Sequence, residues 1–146
     1  MAKSTVRRPK NKAQDGSWTE IRDGMRIDWD LPIAMADGTV LRADVYRPVD
    51  GRPAPVIYRP NKAGKHPVIM TMGPYGKGLA WQDELYATTW QLFTADHPDA
   101  IEGSTNKYQC WETVDPEQWV PDGYVCIRVD SRGAGRSQGY MDPWSP

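Results

Sequence analysis

Gly123–Gly139 reads G-Y-V-C-I-R-V-D-S-R-G-A-G-R-S-Q-G, an apolar run rich in β-branched residues that stops at an acid, a base and a cluster of glycines. Tyr124, Val125, Cys126, Ile127 and Val129 form the near-continuous apolar pattern of a strand buried on both faces of a parallel sheet. Open parallel sheets place their chemistry beyond the carboxyl ends of such strands, and Asp130 to Gly139 is a loop at that place. One reading of the loop is a nucleotide cradle built on Gly133 and Gly135. The spacing, however, is G-x-G-x-x-x-G, and Tyr140 to Pro143 reads as a turn where a phosphate would need a helix amino terminus. Another is a tight loop whose glycines supply positive φ and whose Asp130 and Arg132 pair or cap backbone groups.

Working outward, Met25 to Met35 alternates through Met25, Ile27, Trp29, Leu31 and Ile33, and Val40 to Tyr46 alternates again after Asp37-Gly38. Two alternating runs joined by Asp-Gly predict an antiparallel hairpin. Pro48 to Lys65 reads as an exposed connection, with Val56-Ile57-Tyr58 a short edge segment. Pro67 to Met72 predicts a second strand of the parallel kind, ending in the turn-rich Gly73-Pro74-Tyr75-Gly76-Lys77-Gly78. Leu79 to Phe93 predicts a helix weakened by Thr88 and Thr89. Asp96 to Thr113 is long, polar and irregular, in the manner of a site rim or lid. Asp115 then caps a short helix with Pro116 in its first position, Gln118 placed to return a hydrogen bond, and Gly123 ending it. Trp119 and Val120 on this helix are expected to cover the sheet. A right-handed crossover places Val68 to Met72 and Tyr124 to Val129 in one parallel sheet.

The 146 residues amount to one small domain, and Lys+Arg 18 against Asp+Glu 19 gives no global field to recruit nucleic acid or membrane. Met1 to Lys12 is the local exception, a basic, aromatic-free stretch read as a solvated leader. No apolar run has the length of a membrane span and no early segment resembles a secretory signal, so a cytoplasmic location is expected. Cys110 and Cys126 do not make a disulfide framework, and His66 and His97 lack companions at metal-ligand spacing, so neither metal nor cofactor is expected.

Three blocks occur in a telling order: A-D-G-T-V-L-R-A-D-V-Y-R-P from Ala36, H-P-V-I-M-T-M-G-P-Y-G-K-G from His66, and the Gly123–Gly139 segment with D-P-W-S-P from Asp142 behind it. Together they resemble the amino-terminal region of the α/β-hydrolases of the cocaine-esterase (CocE/NonD) and X-Pro dipeptidyl-peptidase group. The resemblance implies an α/β fold in which an antiparallel hairpin leads into a mostly parallel sheet with flanking helices. It implies hydrolysis of a small ester, amide or short peptide through an acyl-serine intermediate. It also implies a role for Tyr75, as a phenolic donor to the oxyanion of the tetrahedral intermediate.

The nucleophile, acid and histidine of such an enzyme are not found. No G-x-S-x-G elbow is expected: Ser131 and Ser137 lie beside Arg132 and Arg136, off any strand-to-helix turn, and no His follows either. The expectation is a flexible leader over residues 1–24 and, over 25–146, the amino-terminal part of one hydrolase domain truncated before the elbow. Such a piece would be inactive alone and poorly stable, because an unpaired edge remains on an apolar strand; the complete parent could form a homo-oligomer. Two other classes stay open: a nucleotide-binding module using Gly133 and Gly135, and a non-catalytic binding domain built on the hairpin and its tryptophans.

Overall fold

The computed structural model describes residues 12–49, 66–83 and 87–142. The basic stretch before Lys12, Val56-Ile57-Tyr58 with most of its connection, Leu85, and the last four residues lie outside them.

Five strands form one mixed sheet: β1 Trp18–Arg22, β2 Met25–Ala34, β3 Val40–Pro48, β4 Val68–Gly73 and β5 Val125–Asp130. Their order is β1-β2-β3-β5-β4. The first three pairings along this order are antiparallel, and β4 pairs with β5 in parallel, Val68 opposite Val125 and Gly73 opposite Asp130. The hairpin at Asp37-Gly38 is as expected: Gly38 has φ 83°, and the Met35 N–H donates to the Thr39 carbonyl at 2.8 Å. β1 is new relative to the sequence reading, which starts the domain at Met25. Asp23 at φ 49° and Gly24 at φ 79° close a two-residue turn with Arg22 opposite Met25, so a second Asp-Gly hairpin precedes the first.

One sheet face carries the core. Trp18, Met25, Ile27, Trp29, Tyr46, Tyr108, Val120 and Cys126 cluster there. Trp18 stacks on Trp29 at 5.8 Å, Trp29 meets Tyr46 edge-on at 5.6 Å, and Tyr46 meets Tyr108 edge-on at 5.7 Å. Each such pair contributes about 0.5–1.5 kcal/mol beyond its buried area. Arg128, 1% exposed, lies over the Tyr46 ring and donates to the Tyr108 and Val114 carbonyls at 2.7 and 2.8 Å. It thereby ties the irregular 102–115 segment onto the sheet.

The opposite face is barely covered. Leu41, Ala43 and Val129 form a small cluster, but Val68, Met70 and Met72, in register with Val125, Ile127 and Val129, are 56%, 62% and 61% exposed. The strand over Tyr124 to Val129 was expected to be buried on both faces; Cys126, Arg128 and Val129 are buried, but Val125 and Ile127 are only partly so, because none of the described helices lies over that side.

Two helix expectations change in detail. α1 runs Ala87–Asp96 rather than from Leu79, because the preceding backbone is engaged elsewhere: Ala80 bridges Cys110, and the Trp81 N–H donates to the Gln109 carbonyl. α2 is Pro116–Trp119, with Asp115 accepting from the Glu117 N–H at 3.0 Å and Pro116 in the first turn, as expected. Gln118 does not return a hydrogen bond to the cap; its amide donates to the Glu102 carbonyl at 3.2 Å. Gly123, at φ 88°, ends the helix. Val120 is buried against the sheet, whereas Trp119 stays 38% exposed and meets Tyr124 edge-on.

Candidate active site

The loops after β4 and β5 meet at the carboxyl ends of the two parallel strands, and Asp130 joins them. Its carboxylate, on a residue 1% exposed, accepts from the Lys77 N–H at 2.5 Å and from the Arg136 N–H at 2.8 Å. The sequence reading made Asp130 a backbone cap, and it is one. Arg132, its companion in that reading, points elsewhere: it donates to Thr39 Oγ1 at 2.6 Å and pairs with Asp37 at 2.7 Å, bracing the β2–β3 turn.

A second group of charges lies beneath these loops. Between Asp28 and Leu31 the β2–β3 register shifts, leaving a bulge at which Asp30 takes φ 53°. Aspartate tolerates this left-handed conformation better than most residues, and here the Asp30 N–H donates to Asp44 Oδ1 at 2.9 Å. The bulge brings both carboxylates to the Lys77 ammonium, 2.6 Å from Asp30 and 3.0 Å from Asp44, while Arg136 pairs with the other oxygen of Asp30. Burial pushes the Asp44 carboxyl above its ordinary value despite Lys77. Burial also acts to raise Asp30, but the bonds from Lys77 and Arg136 outweigh it and hold that carboxyl below the usual range. Burial acts to lower Lys77, and the two carboxylates outweigh it, keeping the ammonium charged.

Tyr75 stands at the rim of this arrangement. It follows β4 by two residues, is 46% exposed, meets Trp111 edge-on at 6.5 Å, and makes no hydroxyl hydrogen bond among the described residues. It borders a cleft of about 470 Å³, walled by Trp18 and Trp29 on one side and by Lys77, Gly78 and Arg136 on the other. Trp111 belongs to the segment predicted as a rim, and that segment does line the Tyr75 loop.

Gly135-Arg136-Ser137-Gln138-Gly139 does spell G-x-S-x-G, which a reading centred on the arginine neighbours passes over. The structure gives it no elbow. No helix follows it among the described residues, and Ser137 Oγ is engaged twice, donating to the Asp130 carbonyl at 2.6 Å and accepting from the Arg42 N–H at 2.8 Å. Neither histidine serves it: the His66 ring bonds the Gly123 carbonyl and His97 packs on Phe93. The glycines answer to crowding. A Cβ on Gly135 would collide with the Asp130 carboxylate, and one on Gly133 with the backbone at Tyr140 and Met141. A phosphate would find the Lys77 and Arg136 amides already taken by a carboxylate, which disfavours the nucleotide reading.

A family model described as X-Pro dipeptidyl-peptidase (S15 family) matches residues 37–146, from the β2–β3 turn onward. The chain belongs to that family. Two crystal structures of a CocE/NonD family hydrolase from Staphylococcus aureus are similar to it, each 28% identical over 83% of this chain, with TM-scores of 0.55 and 0.53. The chain spans 18% of each of those chains and corresponds to the amino-terminal part of the CocE/NonD fold. No curated protein matches it. No helix among the described residues is long and apolar enough to cross a membrane.

Lys77, Asp30, Asp44, Arg136 and Arg128 were not predicted as site residues. A signal existed for three of them: Asp44 shares its strand face with Tyr46, Arg128 shares its face with Cys126, and Lys77 lies inside the conspicuous Gly73–Gly78 loop.

The geometry makes Arg132 a brace. In the complete protein, Arg132→Ala is expected to lower the melting midpoint while turnover per folded molecule stays within a few fold. A large loss of turnover at an unchanged melting midpoint would place Arg132 in the site instead.

Proposed function

We propose that this chain forms the amino-terminal part of a serine hydrolase that cleaves small ester or amide bonds, or short peptides, through an acyl-serine intermediate. The observation that carries the reading is Tyr75. Its hydroxyl makes no hydrogen bond among the described residues, at the carboxyl end of a parallel strand and beside an aromatic-walled cleft. A hydroxyl in that position is free to donate to a developing oxyanion, and an oxyanion donor needs its proton uncommitted before substrate arrives. Tyr75 is therefore the catalytic residue we assign to this chain. The nucleophile, its histidine and its acid are assigned to polypeptide beyond these residues, and the chain alone is inactive. A cytoplasmic setting accords with the two buried, unpaired thiols, of which Cys126 is pushed up to about 11 by burial.

The isolated chain is expected to hydrolyse p-nitrophenyl acetate no faster than its own Tyr75→Phe variant, and a fluorophosphonate probe should label none of its serines. Turnover above that control, with the label on Ser137, would show that Gly135–Gly139 is a working elbow and end this reading. On the complete protein the same probe should label a serine outside residues 1–146.

A further inference from the structure

The Tyr75 loop has little to hold it. Gly73, Gly76 and Gly78 surround the tyrosine, Gly76 takes φ 88°, and the ring itself is half exposed against a single edge contact with Trp111. What restrains the loop is Lys77, tied at three points: weakly at its carbonyl, which accepts from Cys110 Sγ at 3.5 Å, and more strongly at its ammonium and its N–H. Its ammonium reaches Asp30 and Asp44 through a four-carbon stem, which transmits position loosely. Its main-chain N–H is tied to Asp130 at 2.5 Å, and that tie acts on the peptide next but one to Tyr75.

Asp130 is suited to such a role. It ends β5, the strand between β3 and β4, is 1% exposed, and each carboxylate oxygen takes one backbone N–H, from Lys77 in one loop and Arg136 in the other. Its carbonyl accepts from Ser137, so the residue is fixed from both sides. Bonds from N–H groups to a carboxylate are among the stronger hydrogen bonds. The close packing at Gly135, where a side chain would displace this carboxylate, leaves it no freedom to follow a drifting loop.

We propose that Asp130 is the positioning residue of the oxyanion loop, its carboxylate clamping the Lys77 N–H to the Arg136 N–H and so fixing where the Tyr75 hydroxyl stands over the cleft. This rests on the hydrolase reading above. Asp130 borders the cleft but is 1% exposed, and its proposed action is through the Gly76-Lys77 peptide.

The test has an arm on this chain and an arm on the complete enzyme. By NMR, the Lys77 amide of the unaltered chain should exchange with deuterium far more slowly than an unstructured amide. Exchange of Lys77 at the unstructured rate while the β2 and β3 amides stay protected overturns the clamp without any variant being needed. Asp130→Asn keeps the shape but turns one acceptor into a donor, so at least one of the Lys77 and Arg136 amides should exchange about tenfold faster or more, with β2 and β3 amides unchanged. In the complete enzyme, counted by fluorophosphonate-reactive sites, Asp130→Asn should lower kcat by about tenfold or more with KM little changed. In a Tyr75→Phe background the same change should cost almost nothing further. An equal loss in both backgrounds, or no loss in either, overturns the proposal. If Asp130→Asn does not fold, Gly135→Ala presses on the same carboxylate and must give the same non-additive pattern. A Tyr75→Phe enzyme with its kcat intact would instead defeat the hydrolase reading, whatever the exchange data show.

Discussion

Tyr75→Phe in the complete hydrolase is expected to lower kcat and kcat/KM together by about a hundredfold or more, with KM little changed. The ground-state carbonyl carries less negative charge than the tetrahedral oxyanion, so a donor aimed at that oxygen acts mainly in the transition state. Removing one such donor typically costs about 2.7–4 kcal/mol of transition-state stabilisation. Phe keeps the ring and its edge contact with Trp111, and the lost hydroxyl has no partner among the described residues, so the melting midpoint should hardly move. Steady-state kinetics beside a thermal melt separate the outcomes. A variant that keeps most of its kcat, or that loses efficiency only through a raised KM, makes Tyr75 a packing or substrate-contact residue.

Lys77→Met should be the most destabilising single change at the site. The ammonium is buried, with a side chain 6% exposed, and it sits between two carboxylates that are 7% and 3% exposed. Met occupies a similar volume but leaves Asp44 without its cation and Asp30 with Arg136 alone. Removing one partner from a buried ion pair costs about 3–5 kcal/mol, because the remaining charge is uncompensated. The pH dependence follows from the two carboxyls. Asp44 binds its proton more tightly folded than unfolded, so ionising it costs stability as pH rises, and without Lys77 that cost grows. Asp30 is held below its ordinary value, so the stability it contributes is present above the unfolded value and lost as pH falls; without Lys77 that contribution shrinks. Both effects give the variant its largest deficit near neutrality and a smaller one in acid. Urea unfolding at pH 7 and near pH 4 reads the difference. A deficit that is independent of pH, or below about 1 kcal/mol, would mean that the ammonium does not carry the pair.

Local patterns made much of this fold legible. Asp37-Gly38 between alternating runs specified the β2–β3 hairpin, and the apolar runs before Gly73 and after Gly123 specified the parallel pair. Asp115-Pro116 and Gly123 marked both ends of α2. The site was harder to read, because its charges come from three distant parts of the chain. Only the bulge at Asp30 turns Asp30 toward Asp44, and a bulge is set by pairing between strands rather than by any run of residues. β1 was missed although Asp23-Gly24 carried the same signal as Asp37-Gly38, because Glu20 and Arg22 share the inner face with Trp18 while Ile21 lies on the outer one and is 68% exposed, so the run shows no apolar face. The helix expected over Leu79 to Phe93 is present from Ala87 but not at its start, where Trp81 uses its ring to pack on Trp90, Phe93 and Trp111, and its N–H to bond Gln109.

The strand order has a kinetic consequence. β1, β2 and β3 are joined by tight turns and can zip together as a local meander, but among the described strands β4 pairs only with β5, which lies more than fifty residues later in the chain and inserts between β3 and β4. Until β5 arrives, β4 has nowhere to dock, and the Tyr75 loop that it carries has no anchor. Pairings that span long stretches of chain form late, since their loop entropy must be overcome before any contact rewards it. Pulse-labelled amide exchange during refolding should therefore protect β2 and β3 first, then β5, with β4 and Lys77 last; simultaneous protection of β3 and β4 would contradict this sequence of events. The site's geometry is then the final thing this stretch of polypeptide acquires.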